Sequence, residues 1–154
     1  MALRWALEGT SRLDGMVLAG AAVPAESNMV CAERRPLPPA MLVAGTQDTI
    51  SPYEGGRVRL LGGDRGEVRS AADSARWIAG PGATAVHPPS LGESKDGVRR
   101  TVWVGERGSR AGLVTLEGGG HTMPQPWTRF PSMLGRTIPT IDTADLAAEV
   151  FGWE

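Results

Sequence analysis

Apolar positions along this chain fall into helical and strand-like runs. Leu3, Ala6 and Leu7 recur at i, i+3 and i+4, which predicts a helix over residues 1–9 that stops at Gly9. No Ser, Thr, Asp or Asn precedes its first apolar residue, so this helix enters uncapped. Gly15 to Ala22 reads as a buried strand. A signal peptide over residues 1–25 is the competing reading, and Glu8 and Asp14, acidic residues ahead of the apolar run, weigh against it. Residues 24–39 hold Pro24, Pro36, Pro38 and Pro39 with few periodic apolars and read as loop or short interrupted helix. Ala40-Met-Leu-Val-Ala-Gly45 is apolar on both alternations. That predicts a strand covered on both faces, as in a parallel sheet.

Ser70-Ala-Ala-Asp73 is a capping-box pattern opening a helix through Ala75, Trp77 and Ile78, which Gly80-Pro81-Gly82 ends. The stretch 83–98 is loop-like. Residues 100–104 and 111–116 read as two strands joined by the turn-rich Gly105–Arg110, a candidate hairpin. Residues 122–139 form a proline-rich loop. The last helix starts near Asp142, carries Asp145 in its first turn and presents Leu146, Val150 and Trp153 on one face. This succession predicts one α/β domain with a mainly parallel sheet flanked by helices.

Composition narrows the function classes. With 16 Lys+Arg against 17 Asp+Glu the formal charge is -1, which excludes a strongly basic nucleic-acid binder. No run approaches the roughly 18 apolar residues of a membrane span. A single cysteine, Cys31, excludes an internal disulfide; with only His87 and His121 beside it, no thiolate or imidazole zinc cage and no cofactor are expected. Cys31 reads as an inert thiol, and His87, in Val86-His-Pro-Pro89, as a surface residue. The Arg34-Arg35 and Arg99-Arg100 pairs read as solvated. Gly62-Gly63-Asp-Arg-Gly66 has no predicted strand before it, so a phosphate loop is rejected.

In open α/β sheets functional groups collect beyond the carboxyl ends of the strands. Two titratable residues stand there: Asp48 after the run 40–45, and His121 after the strand 111–116, reached through three glycines that permit a sharp turn. A carboxylate on one imidazole nitrogen fixes the tautomer and stabilises the imidazolium, and the other nitrogen can then deprotonate a nucleophile. Acid first and histidine last is the Ser…Asp…His order of α/β-hydrolases, whose serine sits in Gly-x-Ser-x-Gly. None of Ser11, Ser27, Ser51, Ser70, Ser74, Ser90, Ser94, Ser109 and Ser132 has glycine at both flanking offsets. On pattern alone the bland reading is the stronger: an Asp after a strand is often a turn former or helix cap, and a glycine-rich turn before a histidine is often only structural.

Two segments carry a resemblance. Ala44-Gly-Thr-Gln-Asp-Thr-Ile-Ser-Pro-Tyr-Glu-Gly-Gly56 and Leu116-Glu-Gly-Gly-Gly-His-Thr-Met-Pro124 resemble the acid and histidine loops of the polyhydroxybutyrate depolymerase and feruloyl esterase-like branch of the α/β-hydrolases. Those loops run Gly-Thr-x-Asp-x-x-x-Pro-Tyr-x-Gly-Gly and Gly-Gly-Gly-His-x-Trp-Pro. The resemblance implies a serine-type carboxylic ester hydrolase with Asp48 as triad acid, His121 as triad base, and Tyr53, Met123 and Trp127 on the substrate side. Trp77 and the closing helix also fit. The chain departs from the pattern at Met123, where Trp is usual, at Ser51, where an aliphatic is usual, and in lacking the cysteine that commonly follows the Trp77 position.

The likeness spans nearly the whole chain but only the carboxy-terminal half of the family's domain. Met1-Ala-Leu-Arg-Trp-Ala-Leu resembles the helix just past the family's serine. Residues 1–154 are therefore expected to form a partial α/β-hydrolase domain lacking its nucleophile-bearing half, inactive alone and with an apolar strand edge exposed. Its substrate class would be a polyester, an aromatic ester or a small acyl ester. The alternative is a non-catalytic half-domain or degenerate binding module that needs a separate partner. The resemblance suggests a secreted or cell-envelope setting, without a convincing signal peptide in this chain.

Overall fold

The computed structural model describes residues 2–31, 36–86 and 97–151, apart from the side chains of Glu149 and Val150. His87, Arg34, Arg35 and Trp153 lie outside the described residues, as do the side chain of Val150 and most of the stretch read as loop at 83–98.

The first helix, α1 (Ala2–Glu8), buries Leu3, Ala6 and Leu7, the three positions its spacing singled out. The strands β1 (Met16–Ala19) and β2 (Ala40–Gly45) follow. Next come the hairpin strands β3 (Gly56–Leu60) and β4 (Gly63–Val68), then α2 (Ala71–Ala79). The strands β5 (Thr84–Val86), β6 (Val98–Val104) and β7 (Arg110–Leu116) lead to α3 (Thr143–Phe151). The Ser70 side chain accepts the Asp73 N–H at the start of α2, the cap its sequence announced.

Five strands form one sheet in the order β1-β2-β7-β6-β5, and β3 and β4 form a separate two-stranded sheet. β2 lies parallel to β1 on one side and to β7 on the other, with Ala40 opposite both Met16 and Ala111. Its apolar residues on both faces match that central place: Met41 and Val43 join one core cluster, Ala40 and Leu42 the other. The first cluster sits against Ile138 and the Leu146 and Ala147 turn of α3; the second gathers α1, α2, Trp103 and Leu113. Each fully buried leucine here contributes about 2 kcal/mol by leaving water.

The other half of the sheet runs the opposite way. β6 is antiparallel to β7 and β5 antiparallel to β6. The short Gly105–Ser109 link explains the first pairing, because so few residues join only antiparallel neighbours; Gly105 N–H donates to the Ser109 carbonyl at 2.9 Å.

The expected fold class, the carboxy-terminal half of an α/β-hydrolase fold with a mainly parallel sheet flanked by helices, is thereby corrected. The sheet is mixed. The three helices among the described residues are short, 7, 9 and 9 residues, and the described part of the β1-to-β2 connection holds a 3-10 turn at Glu26–Asn28 and no α-helix. Three further strands escaped the hydrophobic pattern: β5 inside the supposed loop, β3 directly ahead of the Gly62–Gly66 cluster, and β4, which takes in most of that cluster. β5 is exposed at all three positions and β3 at all but one, so neither has the apolar alternation that announces a strand. Because β3 turns back into β4 and not into a helix, the glycine cluster is a hairpin turn and not a phosphate loop.

Candidate functional site

The three parallel strands end side by side, and each end supplies one part of a compact corner. β1 ends just before Gly20, whose N–H donates to the Val43 carbonyl at 2.9 Å. β2 runs through Gly45 into the acid loop, and β7 runs through Leu116 into the histidine loop. The loops are laced together by backbone bonds: Thr46 N–H to the Leu116 carbonyl at 3.0 Å and Gln47 N–H to the Gly119 carbonyl at 2.9 Å. The Thr46 hydroxyl adds another, accepting the Gly118 N–H at 2.8 Å.

Asp48 and His121, 73 positions apart, meet here. Asp48 Oδ2 stands 2.8 Å from His121 Nδ1. The other carboxylate oxygen, Oδ1, accepts the N–H groups of Ile50 and Ser51, each at 2.8 Å. One carboxylate oxygen of Asp48 thus holds the turn that follows it, and the other meets the imidazole. The Asp48 side chain is 2 % exposed and that of His121 29 %. With a carboxylate on Nδ1, the ring proton sits there, and Nε2 is the nitrogen left to accept a proton. The imidazole lies against Gly20: a methyl group on that residue would stand 3.0 Å from His121 Cε1.

The glycines of the histidine loop work differently from expectation. Only Gly118 has positive φ, at 70°. Gly119 and Gly120 serve close approach instead: a methyl group on Gly119 would press on the Leu116 side chain, and one on Gly120 would overlap the Leu134 carbonyl. On the far side, Gly120 N–H donates to the Arg136 carbonyl at 3.0 Å and His121 N–H to that of Leu134 at 2.6 Å. The Thr122 hydroxyl donates to Arg136 as well. His121 is therefore gripped at its backbone as firmly as at its ring.

Of the three expected substrate-side residues, Tyr53 reaches the site and the other two stand outside it. A recess of about 10 Å³, room for one water, lies between Gly20–Ala22 and Asp48, Ser51 and Tyr53. The Tyr53 hydroxyl is 2.8 Å from Thr115 Oγ1 on β7, so this ring braces the acid loop against the strand that delivers the histidine. Met123 and Trp127 do not line the recess. They are exposed on the loop after His121, Trp127 by 76 %. That loop is fixed from within by Gln125, whose Oε1 accepts the Trp127 and Thr128 N–H groups, and by the Thr143 hydroxyl, which donates to the Pro124 carbonyl. A much larger groove, about 1420 Å³, opens at the amino ends of β2 and β7, away from the pair. Its Arg76 is already engaged by Asp73 and by the Trp103 ring.

Sequence reasoning missed Gly20, Thr46 and Thr115. Gly20 had a weak signal, as a glycine inside the apolar run Gly15 to Ala22. Thr46 had one as well, the threonine of the Gly-Thr-x-Asp motif, whereas Thr115 had none, because a hydroxyl that bonds across loops leaves no periodicity. Cys31 is a half-buried free thiol packed against the α1 cluster. Among the described residues no group of three or more His, Cys, Asp or Glu side chains is placed to hold a metal ion. Nor is any helix among them long and apolar enough to cross a membrane.

Compared with protein-family models, with curated proteins and with solved structures, the chain gives no match in any of the three.

Proposed function

We propose that Asp48 and His121 are the acid and base of a serine-type carboxylic ester hydrolase. The observation that carries the proposal is the 2.8 Å bond between a buried carboxylate and Nδ1 of a partly exposed imidazole, at the carboxyl ends of adjacent parallel strands. In such a reaction Nε2 takes the proton of a hydroxyl as its oxygen adds to the ester carbonyl, and passes it to the departing alkoxide. It then takes a proton from water as the water oxygen adds to the acyl carbonyl, and returns that proton to the serine oxygen as the acyl–oxygen bond breaks and the acid leaves. Asp48 holds Nδ1–H throughout and stabilises the imidazolium. The likeness of the two loops to those of polyhydroxybutyrate depolymerases and feruloyl esterases supports an ester as substrate. No serine of this sequence stands in Gly-x-Ser-x-Gly, so the reading takes its nucleophile from polypeptide outside these residues.

The test starts with the reading frame upstream of Met1. A chain extended through an in-frame Gly-x-Ser-x-Gly is expected to hydrolyse p-nitrophenyl acyl esters and to be labelled on that serine by a fluorophosphonate. In it, Asp48→Asn and His121→Ala each lower kcat by about 10⁴-fold. A frame that closes at once, or an extended chain that neither turns over nor labels, removes the esterase reading.

A further inference from the structure

The β3–β4 hairpin has no role in the ester chemistry, yet it holds the one backbone strain found among the described non-glycine residues. Its strands are joined by Leu61 and Gly62 alone, between the paired Leu60 and Gly63. Both loop residues have positive φ, 50° and 77°. This is the type I′ arrangement, which suits a two-residue hairpin and is normally filled by Asn-Gly. A leucine in that conformation brings its Cβ against the following carbonyl, a strain Asn or Gly avoids. Burial does not compensate for it: Leu61 is 84 % exposed and Leu60 is also open to solvent. The Leu61 side chain is thus not held by packing within the fold and stands out into solvent.

The charges around the tip point to what it would meet there. Arg57 pairs with both Asp64 and Glu67, which occupies the two acids of the hairpin. Arg59 and Arg65 are exposed and make no ion pair among the described residues, and the Arg65 side chain lies back toward Gly63, at the turn itself. Two exposed guanidinium groups, Arg65 and an Arg59 that faces Asp64 across the ladder without closing an ion pair, therefore bracket two exposed leucines at the apex. A protein pocket would have to be shaped to that apex, whereas a lipid interface accepts it as it stands.

We infer that the hairpin tip docks on an anionic lipid surface, with Leu60 and Leu61 entering the headgroup boundary and Arg59 and Arg65 on lipid phosphates. The site is coupled to it, because Arg59 N–H donates to the Ile50 carbonyl at 3.1 Å while Ile50 N–H holds Asp48. The inference is independent of the esterase reading, since lipid binding needs no reaction at His121.

Flotation of the 154-residue chain with vesicles of phosphatidylcholine, alone or mixed with phosphatidylserine, tests it. The chain is expected to float with the mixed vesicles and far less with the neutral ones. The double variant Arg59→Gln/Arg65→Gln should bind about 25-fold more weakly, about fivefold for each arginine. Leu61→Asn should bind about tenfold more weakly while melting at or above the temperature of the wild type, because asparagine suits the turn. Failure to float with anionic vesicles, as when the tip serves a protein partner, overturns the inference. So does equal binding to neutral vesicles, undiminished binding of Leu61→Asn, or a Leu61→Asn chain that melts lower than wild type.

Discussion

The acid loop leads in opposite directions to two regions built on opposite principles. Toward β7 it enters the Asp48–His121 corner, where backbones touch, side chains are buried and three hydrogen bonds converge on one carboxylate. Toward β3 it enters a hairpin whose residues are mostly exposed and whose charged pairs lie at the surface. Ile50 joins the two, its N–H on Asp48 and its carbonyl on Arg59. The corner is over-determined, so loss of one contact leaves others to hold it. The hairpin is tied at its base by single backbone bonds, Arg59 N–H to the Ile50 carbonyl, Ala25 N–H to that of Glu67 and Arg69 N–H to that of Val23, while its apex stands exposed. A fixed geometry suits proton transfer, and an exposed apex suits contact with something else.

The sharpest way to break that comparison is to add one methyl group in each region. Gly45→Ala places it on the Gly119 and Gly120 carbonyls, both backbone, so the loops themselves must part. The expected loss is about 3 kcal/mol in urea denaturation, with disappearance of the far-downfield His121 Nδ1–H signal in proton NMR. Gly62→Ala meets nothing within 4 Å and suffers only from its φ of 77°. Its loss is about 1 kcal/mol, with the Nδ1–H signal intact. If the two variants lose equal stability, or both keep the signal, close backbone approach is not what holds the corner.

The corner was also the region easier to read in the sequence. An unbroken apolar run, Ala40 to Gly45, is what a strand buried on both faces has to look like, and an acid and a histidine placed after such runs are brought together by parallel pairing. The sheet's other half misled for a physical reason. A strand predicts its neighbours' direction only through its connections, and the short Gly105–Ser109 link imposes an antiparallel partner whatever the alternation of elements elsewhere suggests. β3 and β5 carry no apolar face, so periodicity had nothing to detect. Tyr53 illustrates the limit at the site: a motif position suggests its importance, but not that its hydroxyl turns inward to Thr115 instead of outward to a ligand.

That strut supplies a smaller, more discriminating perturbation. Tyr53→Phe leaves the ring in place and strips Thr115 Oγ1, an atom of a residue only 2 % exposed, of the tyrosine hydroxyl. The expected destabilisation is about 1–2 kcal/mol, the cost of one buried hydrogen-bonding group without its partner. Thr115→Val alone should behave similarly, stranding the tyrosine hydroxyl. The double variant, with both polar groups gone, should recover most of the loss, so a double-mutant cycle reads the pair directly. Strictly additive losses would mean that the two hydroxyls act separately and that Tyr53 does not brace the acid loop.

The hairpin offers the smallest effect, visible only locally. The Gly66 N–H bonded to Asp64, followed by the nearby Arg57, holds the Asp64 carboxyl below its ordinary pKa. A carboxyl whose folded pKa is depressed adds stability above its unfolded pKa and loses it as pH falls through the folded value. The hairpin is therefore expected to loosen in acid below the ordinary aspartate range, with faster amide exchange at Gly66 and at the β3–β4 ladder. Asp64→Asn should flatten that pH dependence while the global urea midpoint stays unchanged, because the group is wholly solvated and its ion pair screened. A change in the global midpoint would show that the hairpin is bound into the cooperative fold. It would then be no independent appendage beside the rigid corner, and the contrast between the two regions would be one of exposure alone.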